Sequence, residues 1–405
     1  MRLSARRASA AFLLLLPLAA APVSATAATG GAEPRPTASR AEPAPLLTHA
    51  AGGIEGQYIV TLREGAAPAA KVAGVAGVTP LFSYESVLHG FAARLTPDQL
   101  SAVRAMPEVE AVEQDAVVTA TPVAAERPAP RAPASSWGLD RIDQPYLPLD
   151  NQFNVQGTGA GVWALILDTG IDYSHPEFAN RAYFGFDAIG DGRNGQDCNG
   201  HGTHVAGTVA GATFGVARQA KVVSFRVLDC EGKGAYSGMI AGFDRAAASN
   251  ARPAVLNGSL GGPRSDAVNA AADNLFAKGV LPVLAAGNSA EDACKVSPAS
   301  TPRAVTVGAS DHQDREASFS NFGPCLDLYA PGTQIRSARL GGGSTTLDGT
   351  SMASPHVAGV ATLYKARNPG ASPAEVTDWL LQQSVSGALT VSKGSPNRLV
   401  QTGGL

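Results

Sequence analysis

One serine of this chain stands where a nucleophile could work. The segment GTSMASPH at 349–356 sets Ser351 among small residues, just before an apolar helical pattern. Gly349 permits a sharp turn, and Pro355, which has no N–H, is tolerated in the first turn of a helix. We therefore expect Ser351 near a helix N-terminus, where unpaired N–H groups favour a developing oxyanion. The alternative is that this segment is only the capped, buried start of a helix, which would show the same residue types.

Three other residues could complete a site for acyl transfer by serine. Asp168 lies in DTG (168–170), His201 in GHGTHVAG (200–207) and Asn288 in AAGN (285–288). The reaction needs a base, a group that orients the base and donors for an oxyanion. Singly, Asp168 could cap a turn, His201 could share a metal with His204, and Asn288 could be a turn residue. Together they favour a Ser-His-Asp site.

The elements that would carry these residues follow an alternating pattern. Apolar runs at 162–167, 222–228, 254–257, 280–286 and 304–307 predict buried strands, and helical patterns separate them, at 204–212, 237–249, 266–278 and 351–367. Such alternation predicts an α/β domain, mainly a parallel sheet with helices on both faces. Functional residues of such folds gather at the carboxyl ends of strands, where Asp168, Ser259 and Asn288 are expected.

The region before this domain divides by composition. Residues 1–28 have the basic start, short apolar run and small residues of a secretory signal peptide. Residues 29–53 are rich in Ala and Pro and predict a disordered leader. Residues 54–118 read as strand, helix, strand, strand, helix, strand, which predicts a small α+β, ferredoxin-like domain. Residues 119–136 predict a linker and processing region, and 137–405 the main domain.

Charge and cysteine content narrow the class further. The 405 residues carry a net charge of −3, which gives no basis for binding nucleic acid or an anionic membrane. Four cysteines in an exported chain predict disulfides, with three pairings open. Metal ligation is the alternative, although the chain has no C-x-x-C pair.

The three motifs, in the order Asp, His, Ser, resemble the signatures of subtilisin-like serine proteases. The segments WGLDRIDQ (137–144), DCNGH (197–201) and SPNRL (395–399) are similar to the proteinase K branch, and within it to the aqualysins. Residues 54–118 resemble the family's propeptide, which assists folding and inhibits the enzyme. The resemblance implies a subtilisin-like fold and a secreted serine endopeptidase made as a self-processing zymogen.

The resemblance also implies a role for each residue. Ser351 would be the nucleophile, His201 the general base and Asp168 its orienting group; Asn288 and the N–H of Ser351 would bind the oxyanion. Extended substrates would pair with two backbone edges. The substrate side chain before the cut bond would enter a pocket with small, uncharged walls, and a tyrosine would border a subsite further out. The expected edges are Gly232-Lys233-Gly234 and Ser259-Leu260-Gly261, the pocket wall is Ala285-Ala286-Gly287, and the tyrosine is Tyr236. An apolar or aromatic preference follows.

The remaining implications concern stability and partners. Disulfides Cys198–Cys230 and Cys294–Cys325 are implied, as is structural Ca²⁺. Two calcium sites are expected: Asp327 with the carbonyls of Pro302 and Ala304, and Asp140, Asp143 and Gln144. Expected partners are protein or peptide substrates and the chain's own propeptide, with no nucleic acid, no membrane and a monomeric state. A metallohydrolase built on His201 and His204, and an inactive, subtilase-like binding protein, are the alternatives.

Overall fold

The computed structural model describes residues 42–120, 136–391 and 394–405. The predicted signal peptide, residues 29–41 of the leader and residues 121–135 of the linker lie outside these ranges. Among the described residues, no helix is long and apolar enough to cross a membrane.

The N-terminal part is a small α+β domain. Its elements are β1 Leu46–Leu47, β2 Gly53–Leu62, α1 Ala69–Val75, β3 Phe82–Tyr84, β4 Gly90–Arg94, α2 Pro97–Arg104 and β5 Val109–Thr119. Strands β5, β2, β4 and β3 are neighbours in that order, and each pair is antiparallel. This is the ferredoxin-like arrangement that the sequence pattern predicts. One face of the sheet packs on the domain's own helices, with Val60, Phe91 and Val103 in the core.

The prediction of a disordered leader up to residue 53 is wrong for its last part. Residues 46–47 form β1, which pairs in parallel with β5. The N–H of Ala44 donates to Arg104 O at 2.7 Å, and the N–H of Val112 donates to Pro45 O at 3.0 Å. Backbone pairing with a neighbouring strand therefore orders a segment whose own composition carries no signal for structure.

The larger domain is α/β, as expected. Its helices are α3 Trp137–Asp143, α4 His201–Ala210, α5 Tyr236–Ala248, α6 Asp266–Ala277, α7 Thr350–Arg367 and α8 Pro373–Gln383. Its strands are β6 Trp163–Asp168, β7 Ala182–Asp187, β8 Lys221–Arg226, β9 Lys233–Ala235, β10 Ala254–Gly258, β11 Gly262–Pro263, β12 Leu281–Ala285, β13 Val296–Ser297, β14 Val305–Ser310, β15 Leu328–Pro331, β16 Ile335–Ala338, β17 Ser344–Leu347, β18 Val385–Ser386 and β19 Arg398–Leu399.

Within the described ranges the main sheet has the order β18-β19-β15-β14-β12-β10-β6-β8-β7. Every pair is parallel except β18 with β19. The interior strand β6 is buried on both faces. Ala164 and Ile166 pack in one core, with α4 and α7, while Leu165 and Leu167 pack in the other, with α5 and α6. The carboxyl ends of β6, β10 and β12 bring Asp168, Ser259 and Asn288 to one edge of the sheet.

Helix α7 begins earlier than the position of its proline suggests. It starts at Thr350, so Pro355 lies inside the helix and not in its first turn. The missing N–H of Pro355 leaves the carbonyl of Ser351 without a helical donor. The hydroxyl of Ser259 donates to that carbonyl at 3.0 Å instead, which ties the start of α7 to the end of β10.

Candidate active site

Asp168 and His201 form a buried pair. Nδ1 of His201, the first residue of α4, lies 2.8 Å from Oδ1 of Asp168 at the end of β6. His201 is 2% exposed and Asp168 is 0% exposed. A hydrogen on Nδ1 donated to this carboxylate leaves Nε2 as the basic atom of the ring. That Nε2 is buried and has no hydrogen-bond partner among the described residues.

The environment of His201 favours its charged form. Burial lowers the pKa of the imidazole, but the charge and hydrogen bond of Asp168, together with the charge of Asp197, outweigh burial and raise the pKa above its ordinary value of 6.5. The ring can therefore accept a proton within a site where an isolated histidine would stay neutral.

Ser351 is the second residue of α7 and is 2% exposed. Its hydroxyl donates to Ser259 O at 3.3 Å. A bond between Ser351 Oγ and His201 Nε2 is thus not formed in this conformation, although α4 and α7 pack against each other. Hydrogen bonds between a nucleophile and its base are often loose until substrate is in place, so the absence of this bond here does not exclude Ser351 as the nucleophile.

Asn288 is held by the residue that precedes the serine. Its Oδ1 accepts from the N–H and from the hydroxyl of Thr350, both at 2.8 Å. Thr350 Oγ1 in turn accepts from the N–H of Gly287 at 3.1 Å. These bonds fix which end of the amide faces Thr350 and place Nδ2 on the side of Gly349. Thr350 was not among the residues expected at the site; its position next to Ser351 was the available signal.

His204 is a core residue. It is fully buried, its Nε2 lies 3.0 Å from Ile335 O, and burial, with the nearby His201, lowers its pKa to about 3. Within the described residues, no group of three or more His, Cys, Asp or Glu side chains is arranged to hold a metal ion.

A pocket of about 400 Å³ opens beside Ser351. Ala285, Gly287 and Gly261 line it, as expected, whereas Ala286 is fully buried. Beyond the small, uncharged walls that the sequence predicts, the exposed side chains of Glu291 and Lys295 also line the pocket. The full lining is Thr119, Leu260, Gly261, Gly262, Pro263, Ala285, Gly287, Asn288, Ser289, Glu291, Lys295, Val296, Asn321, Thr350 and Ser351.

Both expected substrate edges are paired with the end of β5. On one side Val118 lies opposite Gly234 and Thr119 opposite Lys233, and the N–H of Ala120 donates to Gly232 O at 2.9 Å. On the other side lies Gly261, in an antiparallel bridge with Thr119. The tail of the small domain is therefore a strand between two edges of the large one.

Tyr236 lies beside the side chain of Val118, near the end of β5. It is fully buried in one core with Val118 and Leu260, and its hydroxyl donates to Pro263 O. Tyr236 thus lies beside the tail of the small domain, which covers it.

The structure contains both implied disulfides. Cys198 is bonded to Cys230 and Cys294 to Cys325. The first joins the loop before His201 to the turn before β9, so it connects the His201–Asp168 pair to one of the expected substrate edges.

The residues expected around calcium lie in two separate parts of the large domain. Asp140 and Asp143 are on α3, and each has one buried carboxylate oxygen without a hydrogen-bond partner in the described ranges. Gln144 follows them and bonds through its side chain to Tyr146 O and Pro148 O. The second group is Asp327, which accepts from the N–H of Thr306 at 2.7 Å, together with the exposed Pro302 and the buried Ala304.

Comparison with known proteins identifies the family. Residues 159–402 match the model of the subtilase family, and residues 57–121 match that of peptidase inhibitor I9. The chain therefore belongs to the subtilase family of serine proteases and carries an inhibitor-type propeptide domain.

Three relatives illustrate the similarity. The chain is 42% identical to an extracellular serine proteinase of Thermus sp. (strain Rt41A), over 91% of this chain and 94% of the relative. It is 44% identical to alkaline serine exoprotease A of Vibrio alginolyticus over 78% of this chain, and it spans 59% of that longer relative. A crystal structure of a cold-adapted subtilisin-like serine proteinase shares 47% identity with a TM-score of 0.65, covering 66% of this chain and 97% of that one.

Proposed function

We propose that this protein is a secreted serine endopeptidase, made as a zymogen, in which Ser351, His201 and Asp168 form the catalytic triad. The observation that carries the proposal is the buried His201–Asp168 pair, whose Nε2 has no partner in the described residues. An unused basic nitrogen in a dry site is costly unless the reaction uses it. Secretion is supported by the signal-like residues 1–28 and by the extracellular relative.

In the first step, His201 Nε2 takes the proton of the Ser351 hydroxyl as that oxygen attacks the substrate carbonyl. The hydroxyl first leaves the carbonyl of Ser259 and turns toward the ring. Asp168 holds the ring with Nδ1 inward and stabilises the imidazolium. The protonated Nε2 then gives its proton to the leaving amine, and water repeats the sequence on the acyl-enzyme.

The tetrahedral intermediate carries a negative oxygen that needs fixed donors. The Nδ2 of Asn288 and the N–H of Ser351 would supply them, since Thr350 holds the other end of the amide and Ser351 lies in the first turn of α7. Donors that are already oriented need no rearrangement as the charge develops, which is the source of their effect on rate.

The tail of the small domain would act as an inhibitor that binds like substrate. Residues 118–120 use the edges that an extended peptide would use, by strand addition. Cleavage in the region 119–136 would separate the domains and leave the tail in place until it dissociates or is degraded. We infer broad specificity with an apolar or aromatic preference, because Ala285, Gly287 and Gly261 leave room for a large side chain.

Calcium fits one of its two expected sites well. The buried, unpartnered oxygens of Asp140 and Asp143 lie in one helix, and the pKa of Asp140 is raised to about 6 by burial and by the neighbouring Asp150 and Asp143. Carboxylates that disfavour each other's charge are suited to a hard cation. Asp327, whose pKa burial raises to about 6, would hold the second ion with carbonyl oxygens. Bound calcium would neutralise these carboxylates and stabilise the loops.

A fluorophosphonate probe tests the proposal, because it labels only a serine whose hydroxyl is activated. We expect labelling of the mature protein, loss of casein hydrolysis in proportion to labelling, and no labelling of Ser351→Ala. Ser354→Ala, three residues away on the same helix, is the control and should be labelled. A folded, fully processed protein that neither reacts with the probe nor cleaves casein would favour the binding-protein alternative.

A further inference from the structure

Asp197 is a buried carboxylate that the reaction sequence above does not use. It is 7% exposed and accepts five hydrogen bonds. Its Oδ1 accepts from Thr169 Oγ1 and from the N–H groups of Asn199 and Gly200, each at 2.9 Å. Its Oδ2 accepts from the N–H of Thr203 at 3.0 Å and from the hydroxyl of Thr203 at 2.6 Å.

These bonds join the two elements that carry the catalytic pair. Thr169 directly follows Asp168, while Gly200 and Thr203 flank His201 in the sequence. The hydroxyl of Thr169 also accepts from the N–H of Gly202 at 2.9 Å, so one side chain bridges the end of β6, the carboxylate and the first turn of α4. Besides the His201–Asp168 bond, the turn after β6 is therefore joined to the first turn of α4 through the hydroxyl of Thr169, which donates to Asp197 and accepts from Gly202.

The backbones at this junction leave little room for adjustment. A Cβ on Gly202 would lie 2.2 Å from the carbonyl oxygen of Gly170. Because α4 touches the β6 turn through bare backbone, the helix cannot shift toward the strand, and the hydrogen bonds of Asp197 prevent it from shifting away. The separation between His201 and Asp168 is thereby fixed from both directions.

Asp197 also places a second negative charge near the ring. The charged and titratable groups that face His201 are Asp168 from β6, Asp197 from the preceding loop and His204 from α4 itself. Both carboxylates favour the imidazolium over the neutral ring, Asp168 more strongly. A helix cap alone would also explain bonds to N–H groups at the start of α4, but it would not require the bond to Thr169 on the strand.

We propose that Asp197 is a positioning residue for the peptidase reaction, which clamps the first turn of α4 to the end of β6 and supports the charged form of His201. The clamp consists of Asp197, Thr169 and Thr203. This inference rests on the proposed function, and it assigns to Asp197 two separable effects, one of geometry and one of charge.

Three substitutions separate these effects. Asp197→Asn keeps the shape but removes the charge and replaces one acceptor by a donor. Thr169→Val removes the bridging hydroxyl without changing charge, and Thr169→Ser restores that hydroxyl. Asp273→Asn is the control, because it removes an equal charge from an ion pair, with Arg303, on α6. The kcat and KM of the mature enzymes are measured on a chromogenic peptide at several pH values across the acid limb of the pH profile. The enzyme concentration is taken as the number of active sites that the fluorophosphonate probe labels.

We expect Asp197→Asn to lower kcat by about 10- to 100-fold with little change in KM, since a small misplacement of reacting groups has effects of this order. We also expect its acid limb to move to lower pH by about 0.5 unit, because a nearby negative charge is lost. Thr169→Val should lower kcat without moving the limb, and Thr169→Ser should recover most of the loss. Asp273→Asn should match the parent.

The inference is overturned if Asp197→Asn retains the parent kcat and acid limb, or if Thr169→Val and Thr169→Ser are equally active. Should Asp197→Asn fail to fold, the two Thr169 variants decide the geometric effect alone. A parent enzyme that is inactive in the same assay would instead contradict the proposed function, so the two failures can be told apart.

Discussion

Thr119 and Gly261 exchange two backbone hydrogen bonds, each of 3.2 Å. Thr119 ends β5 of the inhibitor-type domain, and Gly261 belongs to the edge beside Ser351 that was expected to bind substrate. Because the residue next along the tail also bonds to Gly232 on the opposite edge, the small domain occupies the site in an extended form. The inhibitor-type domain thus pairs its backbone with both expected substrate edges, as the proposed inhibition requires.

The first prediction concerns that backbone pairing. Thr119→Pro removes the N–H that donates to Gly261 O, and we expect the processed complex to release active enzyme at least roughly tenfold faster. Thr119→Ala retains the N–H and is the matched control, with release close to that of the parent. The rate is measured by the appearance of activity on a peptide substrate after processing. Equal rates for the proline and alanine variants would mean that the pairing does not hold the tail.

The second prediction concerns Asn288. Asn288→Ala should lower kcat by about 10²–10³-fold while KM changes little, because its amide would bind the oxygen mainly once that oxygen is charged. Ser289→Ala, which alters an adjacent residue of the pocket lining, should keep the parent kcat. Steady-state kinetics on one peptide substrate decide the matter. A variant whose loss lies in KM alone would place Asn288 in ground-state binding.

The third prediction concerns calcium and pH. In the cation-free protein, the raised pKa values of Asp140 and Asp327, about 6 against 3.8 for an ordinary aspartate, mean that folding favours their protonated forms. Their ionisation therefore costs stability as the pH rises through this window, and bound calcium offsets that cost. Stabilisation by calcium should consequently be full above pH 6 and be lost as the pH falls below it.

Melting temperatures of the Ser351→Ala precursor, with calcium or a chelator, provide the measurement without self-digestion. We expect a clear rise with calcium at about pH 8 and almost none at about pH 4.5. Asp140→Asn should reduce the rise at the higher pH. An equal response at both pH values would contradict binding through these carboxylates.

The fourth prediction concerns the ordered segment before the inhibitor match. His49 Nε2 lies 3.2 Å from Glu113 Oε1, and the other oxygen of Glu113 accepts from the N–H of Ala267 at 3.1 Å, at the start of α6. His49→Ala should hasten release of the processed inhibitor by roughly 2- to 5-fold, as expected for the loss of an interaction of about 0.5–1 kcal/mol. Lys71→Ala, on the exposed side of α1, is the control. Release at the parent rate would show that this segment does not strengthen inhibition.

How far the sequence leads depends on the kind of interaction. The apolar runs before Asp168 and Asn288 predict the parallel sheet correctly, because a strand buried on both faces must be apolar throughout. The placement of Pro355 inside α7 was not predictable, since it depends on a hydroxyl from Ser259 that is distant in the chain. Strand β1 was missed for the same reason: its pairing energy comes from β5 and not from its own residues.

The site shows the same division. Motif spacing suffices to propose Asp168, His201 and Ser351 as a triad, because the chemistry requires those residue types at strand and helix ends. The pairing of Thr350 with Asn288, the charged Glu291 and Lys295 at the pocket and the bond of Asp197 to Thr169 depend on segments that meet only in the folded chain. The position of Asp197, four residues before His201, was a signal in the sequence for its role. Nothing in the sequence signalled its bond to Thr169.

The most direct test of the account is the processing of the precursor with and without Ser351. The wild-type precursor and Ser351→Ala are expressed in parallel, and their products are followed by gel electrophoresis and N-terminal sequencing. We predict that the wild type cleaves itself within 119–136 and digests casein, while Ser351→Ala folds, remains at full precursor length and is cut at the same bond when wild-type enzyme is added. Processing of Ser351→Ala at the same rate and bond in the absence of wild-type enzyme would contradict self-cleavage by this serine.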